Sequence, residues 1–156
     1  NNYRIARRIK KINDSTLINV FKLYIATKNW LQENTDNERD VMGFVNKISN
    51  IKNLTNGINE VSLASKILFL NNPIKIYPYD SIAKKTLGYK DTDYNIYKSK
   101  VDEYKKNHKE DIKEIINNLK NCTDLMELDI SYNSEELEII KENRFVDKML
   151  WSGWID

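Results

Sequence analysis

The residue in this chain best placed to do chemistry is Asp80, in the run Pro78-Tyr79-Asp80-Ser81. The spacing predicts a short apolar helix over 62–71, stopped by Asn72-Pro73, then a loop, then a second helix starting at Ser81. Two roles for Asp80 follow from the residues alone. As a helix N-cap, its carboxylate accepts a hydrogen bond from a backbone N–H of the first turn. In the same place it can serve as the acidic group of a catalytic site. Other reactive side chains are scarce. Cys122 is the only cysteine, which excludes an internal disulfide framework and any multi-cysteine metal site. His108, the only histidine, continues the apolar stripe of its helix and is expected to be packed or half-buried. A two-histidine metal centre is ruled out, and a packed histidine suits a Ser/His/Asp triad poorly. We therefore expect neither metal nor cofactor.

The elements that must position Asp80 are read from helical periodicity. The opening RIARRIKKI reads as a short basic helix with Ile5, Ile9 and Ile12 on its apolar edge. Asp14-Ser15 offers caps for a helix over 15–31 that is expected to bury Leu17, Val20, Phe21 and Tyr24. The polar stretch QENTDNERD reads as a loop. Val41, Phe44, Val45, Ile48 and Ile51 mark the next helix at i, i+3, i+4 spacing. Leu54-Thr55-Asn56-Gly57 reads as a turn. Helix 62–71 is apolar on nearly every side, so it is expected to be the central buried helix. Residues 81–88 form a short helix ended by Gly88. A long amphipathic helix, with room for a kink, is expected over 94–119, with its stripe at Tyr97, Val101, Tyr104, His108, Ile112, Ile115, Ile116 and Leu119. Asn133, with Glu136 three residues on, has the form of a capping box. The aromatic segment 145–154 is expected to pack back on the core.

Composition bounds the fold class. A chain of 156 residues, 40% hydrophobic and 31% charged, can build one core and a solvated surface. Only 4 Gly and 2 Pro argue against a turn-rich β architecture, so a single compact all-α domain over residues 1–156 is expected. No apolar run reaches the roughly 18 residues of a membrane span, and a cytoplasmic, intracellular location is expected. The missing initiator Met suggests an upstream tag or processed segment. The net charge of +2 conceals an asymmetry. Residues 1–30 carry seven basic side chains against Asp14 alone, whereas residues 109–156 carry six basic and twelve acidic ones. The two ends can pair with each other, or the basic face can meet nucleic-acid phosphates.

Residues 56–88 resemble the helix-hairpin-helix DNA glycosylase superfamily. In that superfamily a turn leads to a buried helix, a loop, and a Pro-x-Asp opening the next helix. Here these parts read Asn56-Gly57, Ser62 to Leu70, and Pro78-Tyr79-Asp80, with Leu87-Gly88 similar to the closing element. Ala64-Ser65-Lys66, Asn72-Pro73 and Tyr79-Asp80-Ser81 resemble the signature of small proteins of 8-oxoguanine DNA glycosylase-like fold. Asp147-Lys148-Met149-Leu150-Trp151 is similar to their closing segment. Two departures stand out. The hairpin reads Gly57-Ile58-Asn59-Glu60, one glycine short of the usual Gly-x-Gly and with an acid beside the phosphate position. The lysine of bifunctional members would fall at Val61 or Ser62, so the resemblance is to monofunctional members.

What the resemblance implies is cleavage of an N-glycosidic bond, with Asp80 stabilising the positive charge that builds on the sugar. Lys66, one turn after Ser62 on roughly the same helical face, is the lysine placed to reach such a site. Ser62, Tyr77, Tyr79, Ser81 and Trp151 are the candidates to hold a flipped base. Arg4, Arg7, Arg8, Lys10, Lys11, Lys84 and Lys85 are the candidates to hold DNA phosphates. A rival expectation is a fold that has lost catalysis and binds nucleic acid or a protein partner; a third is a helical interaction protein unrelated to this family. The base removed and the oligomeric state are not encoded in any of these residues.

Overall fold

The computed structural model describes residues 14–34, 40–51, 60–118 and 132–153. Among them are seven α-helices and no strand, so the chain is all-α. They are α1 (Asp14–Glu33), α2 (Val41–Ser49), α3 (Val61–Asn71), α4 (Ser81–Thr86), α5 (Tyr94–Asn107), α6 (Lys109–Asn118) and α7 (Ser134–Ser152). The backbone falls into two compact units, Asn1–Asn72 and Pro73–Asp156. The expected basic helix before residue 13, the Asn56-Gly57 turn and hairpin glycine, Leu119, Cys122 and Trp154 lie outside the described residues.

In the first unit, α2 packs against α1 and α3. Its expected stripe is confirmed in Val41, Phe44, Val45 and Ile48, all fully buried, while Ile51 past the helix end is half-buried. Asp40 starts the helix by accepting from the Gly43 N–H at 2.8 Å. At Gly43 the Trp30 side chain of α1 lies close: a Cβ there would meet the Asp40 carboxylate and stand 2.7 Å from the Trp30 ring. That ring packs on Phe44 at 5.7 Å. The expectation for α1 needs correcting. Val20, Phe21 and Tyr24 are exposed, and the face turned to the core carries Leu23 instead. The side chain of Leu17 lies outside the described residues. The physical reason is that α1 is apolar on more than one side, so its pattern does not single out the buried face. In α3 the core-facing residues are Val61, Ala64, Ser65, Leu68 and Phe69, but Leu70 is exposed, so the helix is not buried all round.

In the second unit, α7 packs against α4 and α6. The expected capping box is present: Asn133 Oδ1 accepts from the Glu136 N–H at 3.0 Å, and the Asn133 N–H donates to Glu136 Oε2 at 2.9 Å. The expected helix 94–119 divides at His108, between α5 and α6. Tyr97, Val101, Ile112 and Ile116 of its stripe are buried. His108 is not packed as expected: it is exposed, its ring lies 4.4 Å from that of Tyr104, and its Nδ1 is 3.7 Å from Asp111. The change of backbone direction there (φ −111°, ψ 23°) takes it off the stripe. Ile115 is exposed as well. At the far end of α7, Val146 and Leu150 are buried and Phe145 is half-buried, as expected, whereas Trp151 is exposed; Trp154 lies outside the described residues.

Two substitutions test this packing. Leu68 is fully buried; Leu68→Asp should abolish the cooperative melt, because an unpaired buried charge costs several kcal/mol, about the whole stability of a small protein. A soluble variant with an unchanged melting temperature would refute the burial. Gly43→Ala should lower stability by about 1 kcal/mol, since the strain of moving Trp30 and the Asp40 cap outweighs alanine's better helix propensity. Thermal unfolding followed by circular dichroism reads both.

Candidate functional site

Pro73 and Pro78 decide the path between α3 and α4. Each lacks an N–H and disfavours helix in the residue before it, so α3 ends at Asn71, with Asn72 leaving the helical conformation as its cap (φ −142°, ψ 75°), and residues 73–80 form a loop without regular structure. Residues 76–79 of that loop are nevertheless buried. Buried peptide groups require partners, and here side chains supply them. The Asn143 amide nitrogen donates to the carbonyls of Pro73 and Ile74, both at 2.9 Å. The Tyr94 hydroxyl accepts from the Tyr77 N–H at 2.8 Å and donates to the Tyr77 carbonyl at 3.0 Å. The Tyr97 hydroxyl donates to the Pro78 carbonyl at 3.1 Å.

The loop's own aromatic residues anchor outward. Tyr77 donates its hydroxyl to Asp102 Oδ1 at 2.7 Å, and Tyr79 donates to the Asp91 carbonyl at 3.0 Å. The Tyr79 ring meets that of Tyr97 edge-on at 4.9 Å. Tyr89 donates to the Asp93 carbonyl at 2.7 Å. Lys105 completes the fastening by donating to Asn143 Oδ1 at 2.6 Å, with Glu142 at 3.7 Å. Both amide hydrogens of Asn143 and its oxygen are therefore used inside a fully buried side chain.

Asp80 comes at the end of this fastened segment. Its backbone is extended (φ −128°, ψ 145°), and its Oδ1 accepts from the Ile82 N–H at 2.8 Å, which makes it the N-cap of α4. The residue is partly exposed. The cap expected from the residues is thus present. The helix ends beyond Thr86, where Gly88 takes the left-handed conformation (φ 64°) that glycine adopts without strain.

The other expected site residues are distributed as follows. Tyr77 and Tyr79 are buried around the loop, Ser81 is the exposed first residue of α4, and Trp151 is exposed on α7. Lys84 leans over the Tyr79 ring at 5.7 Å and donates to the Asp91 carbonyl at 3.3 Å, whereas Lys85 is exposed. Ser62 and Lys66, both half-buried, stand on α3 in the first unit. Arg4, Arg7, Arg8, Lys10 and Lys11 lie outside the described residues. Asn143, Lys105 and Tyr94 were missed in the sequence. Asn143 left one readable signal, a polar residue in the apolar row Ile140, Val146 and Leu150 of α7.

The electrostatics of this centre are those of neutral phenols among carboxylates. Burial, with the Asp147 and Asp80 carboxylates beside it, holds the Tyr97 phenol well above its ordinary range. Burial does the same to Tyr77, reinforced by its hydrogen bond to Asp102, and to Tyr94. Burial pushes Lys105 down, against the opposing pull of Glu142. Among the described residues no group of three or more His, Cys, Asp or Glu side chains could hold a metal ion, and no helix is long and apolar enough to cross a membrane. No protein-family model, curated protein or solved structure matches the chain.

A pH dependence follows. A phenol whose pKa rises on folding contributes stability that is complete below its ordinary value of about 10 and lost as pH climbs through the native value. Lys105, lowered on folding, acts in the opposite sense as pH rises towards the ordinary lysine value of about 10.4. Three phenols outweigh one ammonium, so the melting temperature should fall steadily above about pH 10. Absorbance at the tyrosinate band should show these phenols ionising together with unfolding. Their titration in a chain that is still folded would contradict the fastening.

Proposed function

We propose that the chain is a DNA glycosylase-like protein that hydrolyses the N-glycosidic bond of a damaged or modified base, with Asp80 as its electrostatic catalyst. The observation that carries this reading is the state of Asp80: a partly exposed residue, its carboxylate held through Oδ1 by the Ile82 N–H, at the end of a loop fastened by Asn143, Tyr94 and Tyr97. A charge held in place before the reaction costs no reorganisation when opposite charge develops. The family resemblance of residues 56–88 agrees with it. As the base departs, positive charge grows at C1′ of the sugar, and a fixed carboxylate both stabilises that charge and orients the attacking water. The target base must first leave the stack. The exposed Trp151 and Ser81 belong to the same unit as Asp80 and are the candidates to hold it. Exposed Lys85 is the candidate phosphate contact near α4.

A second reading, a nucleic-acid or protein-binding module without catalysis, is favoured by one observation: capping α4 already gives Asp80 a structural reason to be there. Asp80→Asn separates the two. Asparagine keeps the cap's shape, so stability should change by no more than about 1 kcal/mol. Base release from a panel of damaged and modified duplexes, followed by alkali to cut abasic sites, should fall about a hundredfold or more, equivalent to a few kcal/mol of transition-state stabilisation. DNA binding should persist and should weaken steeply with salt. Activity that survives Asp80→Asn would remove the catalytic role. DNA binding by a wild-type chain that releases no base from any duplex would establish the second reading.

A further inference from the structure

We infer that Tyr97 is a positioning residue for the proposed reaction: acting through the backbone, it sets where the Asp80 carboxylate stands against the sugar. The inference rests on the glycosylase reading and adds to it a residue that meets no substrate, since Tyr97 is fully buried. Asn143 holds the 73–80 loop at Pro73 and Ile74, and Tyr94 holds it at Tyr77. Tyr97 acts closer to Asp80 than either, at the Pro78 carbonyl.

Tyr97 grips this stretch twice. Its hydroxyl donates to the Pro78 carbonyl at 3.1 Å, and its ring meets the Tyr79 ring edge-on at 4.9 Å. A peptide unit is planar, so holding the Pro78 carbonyl holds the unit as far as the Tyr79 Cα. The soft torsions between that plane and the Asp80 Cα are then φ and ψ of Tyr79. They are restrained by the ring contact with Tyr97 and by the Tyr79 hydroxyl on the Asp91 carbonyl at 3.0 Å. The Tyr97 hydroxyl hydrogen is committed to Pro78, so it supplies no proton to the reaction, and its influence reaches Asp80 through the chain. Small errors in the placement of a reacting group are costly, about a hundredfold for 1 Å. Tyr94 offers an internal comparison. It makes two hydrogen bonds to the loop, yet both fall at Tyr77, three residues before Asp80. Tyr94 therefore does more to hold the fold, and Tyr97 more to place the carboxylate.

The experiment compares Tyr97→Phe with Tyr94→Phe in the full chain. Each keeps its ring and loses a hydroxyl, so both should fold, and the melting temperature should drop further in Tyr94→Phe, which loses two hydrogen bonds. Base release should run the other way. Tyr97→Phe should lower kcat about tenfold or more and Tyr94→Phe about threefold or less, with KM unchanged in both. A residue that merely stabilises the fold would give one order in both measurements. A second readout needs no substrate. Hydrogen exchange at the Ile82 N–H, which Asp80 accepts, should quicken about tenfold in Tyr97→Phe and stay near wild type in Tyr94→Phe when followed by NMR. The Glu136 N–H in the cap of α7 should not change in either. Unchanged Ile82 exchange in Tyr97→Phe, equal kcat losses, or losses that follow the melting temperature overturn the role of Tyr97 and leave the glycosylase reading standing. A Tyr97→Phe chain that fails to fold while Tyr94→Phe folds overturns it too, because the order of stability is then reversed. A wild-type chain that releases no base overturns the glycosylase reading, and the part of Tyr97 in catalysis with it.

Discussion

A buried loop containing two prolines cannot satisfy its own backbone, and the second unit of this protein is organised around that deficit. Asn143 reaches from α7 to two carbonyls, Tyr94 and Tyr97 reach from α5 to three further groups, and Lys105 holds the Asn143 oxygen in place. Each bond is modest in net terms, about 1 kcal/mol, but leaving a buried partner unpaired costs more. The fastening therefore does more to select one loop path than to raise total stability. Asp80 and α4 inherit their position from that path.

The choice of tyrosine has a physical logic. A phenol contributes a large apolar ring to the core and a hydroxyl that can donate and accept at once. Tyr94 uses both capacities on a single residue of the loop, in the manner of a one-residue strand pairing. A phenol is neutral at ordinary pH, and burial extends that range upward, so Tyr97 remains a donor beside the Asp80 and Asp147 carboxylates without adding negative charge. Whether Asp80 acts as a catalyst or only as a cap, it occupies a site whose surroundings are already settled.

The first unit divides differently. Its core is conventional, a fully buried stripe on α2 set against α1 and α3, with Gly43 allowing Trp30 to approach closely. α1 then carries a second apolar face that this core does not use. Periodicity alone mistook that face for the core face, because Val20, Phe21 and Tyr24 satisfy helical spacing as well as Leu23 does.

Local physics was legible in the sequence. The apolar stripe of α2, the break at Asn72-Pro73, the capping box at Asn133 and Glu136, and Asp80 at the head of α4 all depend on residues within one or two turns of each other. The all-α class followed from the same local signals. What only the tertiary structure decided is which faces meet and which distant side chain answers which backbone group. Asn143 lies 70 residues from Pro73, and Tyr94 lies 17 from Tyr77. Nothing in the spacing of an amide or a phenol names its partner, since a hydrogen bond across the fold depends on where the chain returns. His108 makes the same point: a stripe position in sequence became an exposed break, because a departure of one residue's φ and ψ from helical values is invisible to periodicity yet redirects the helix.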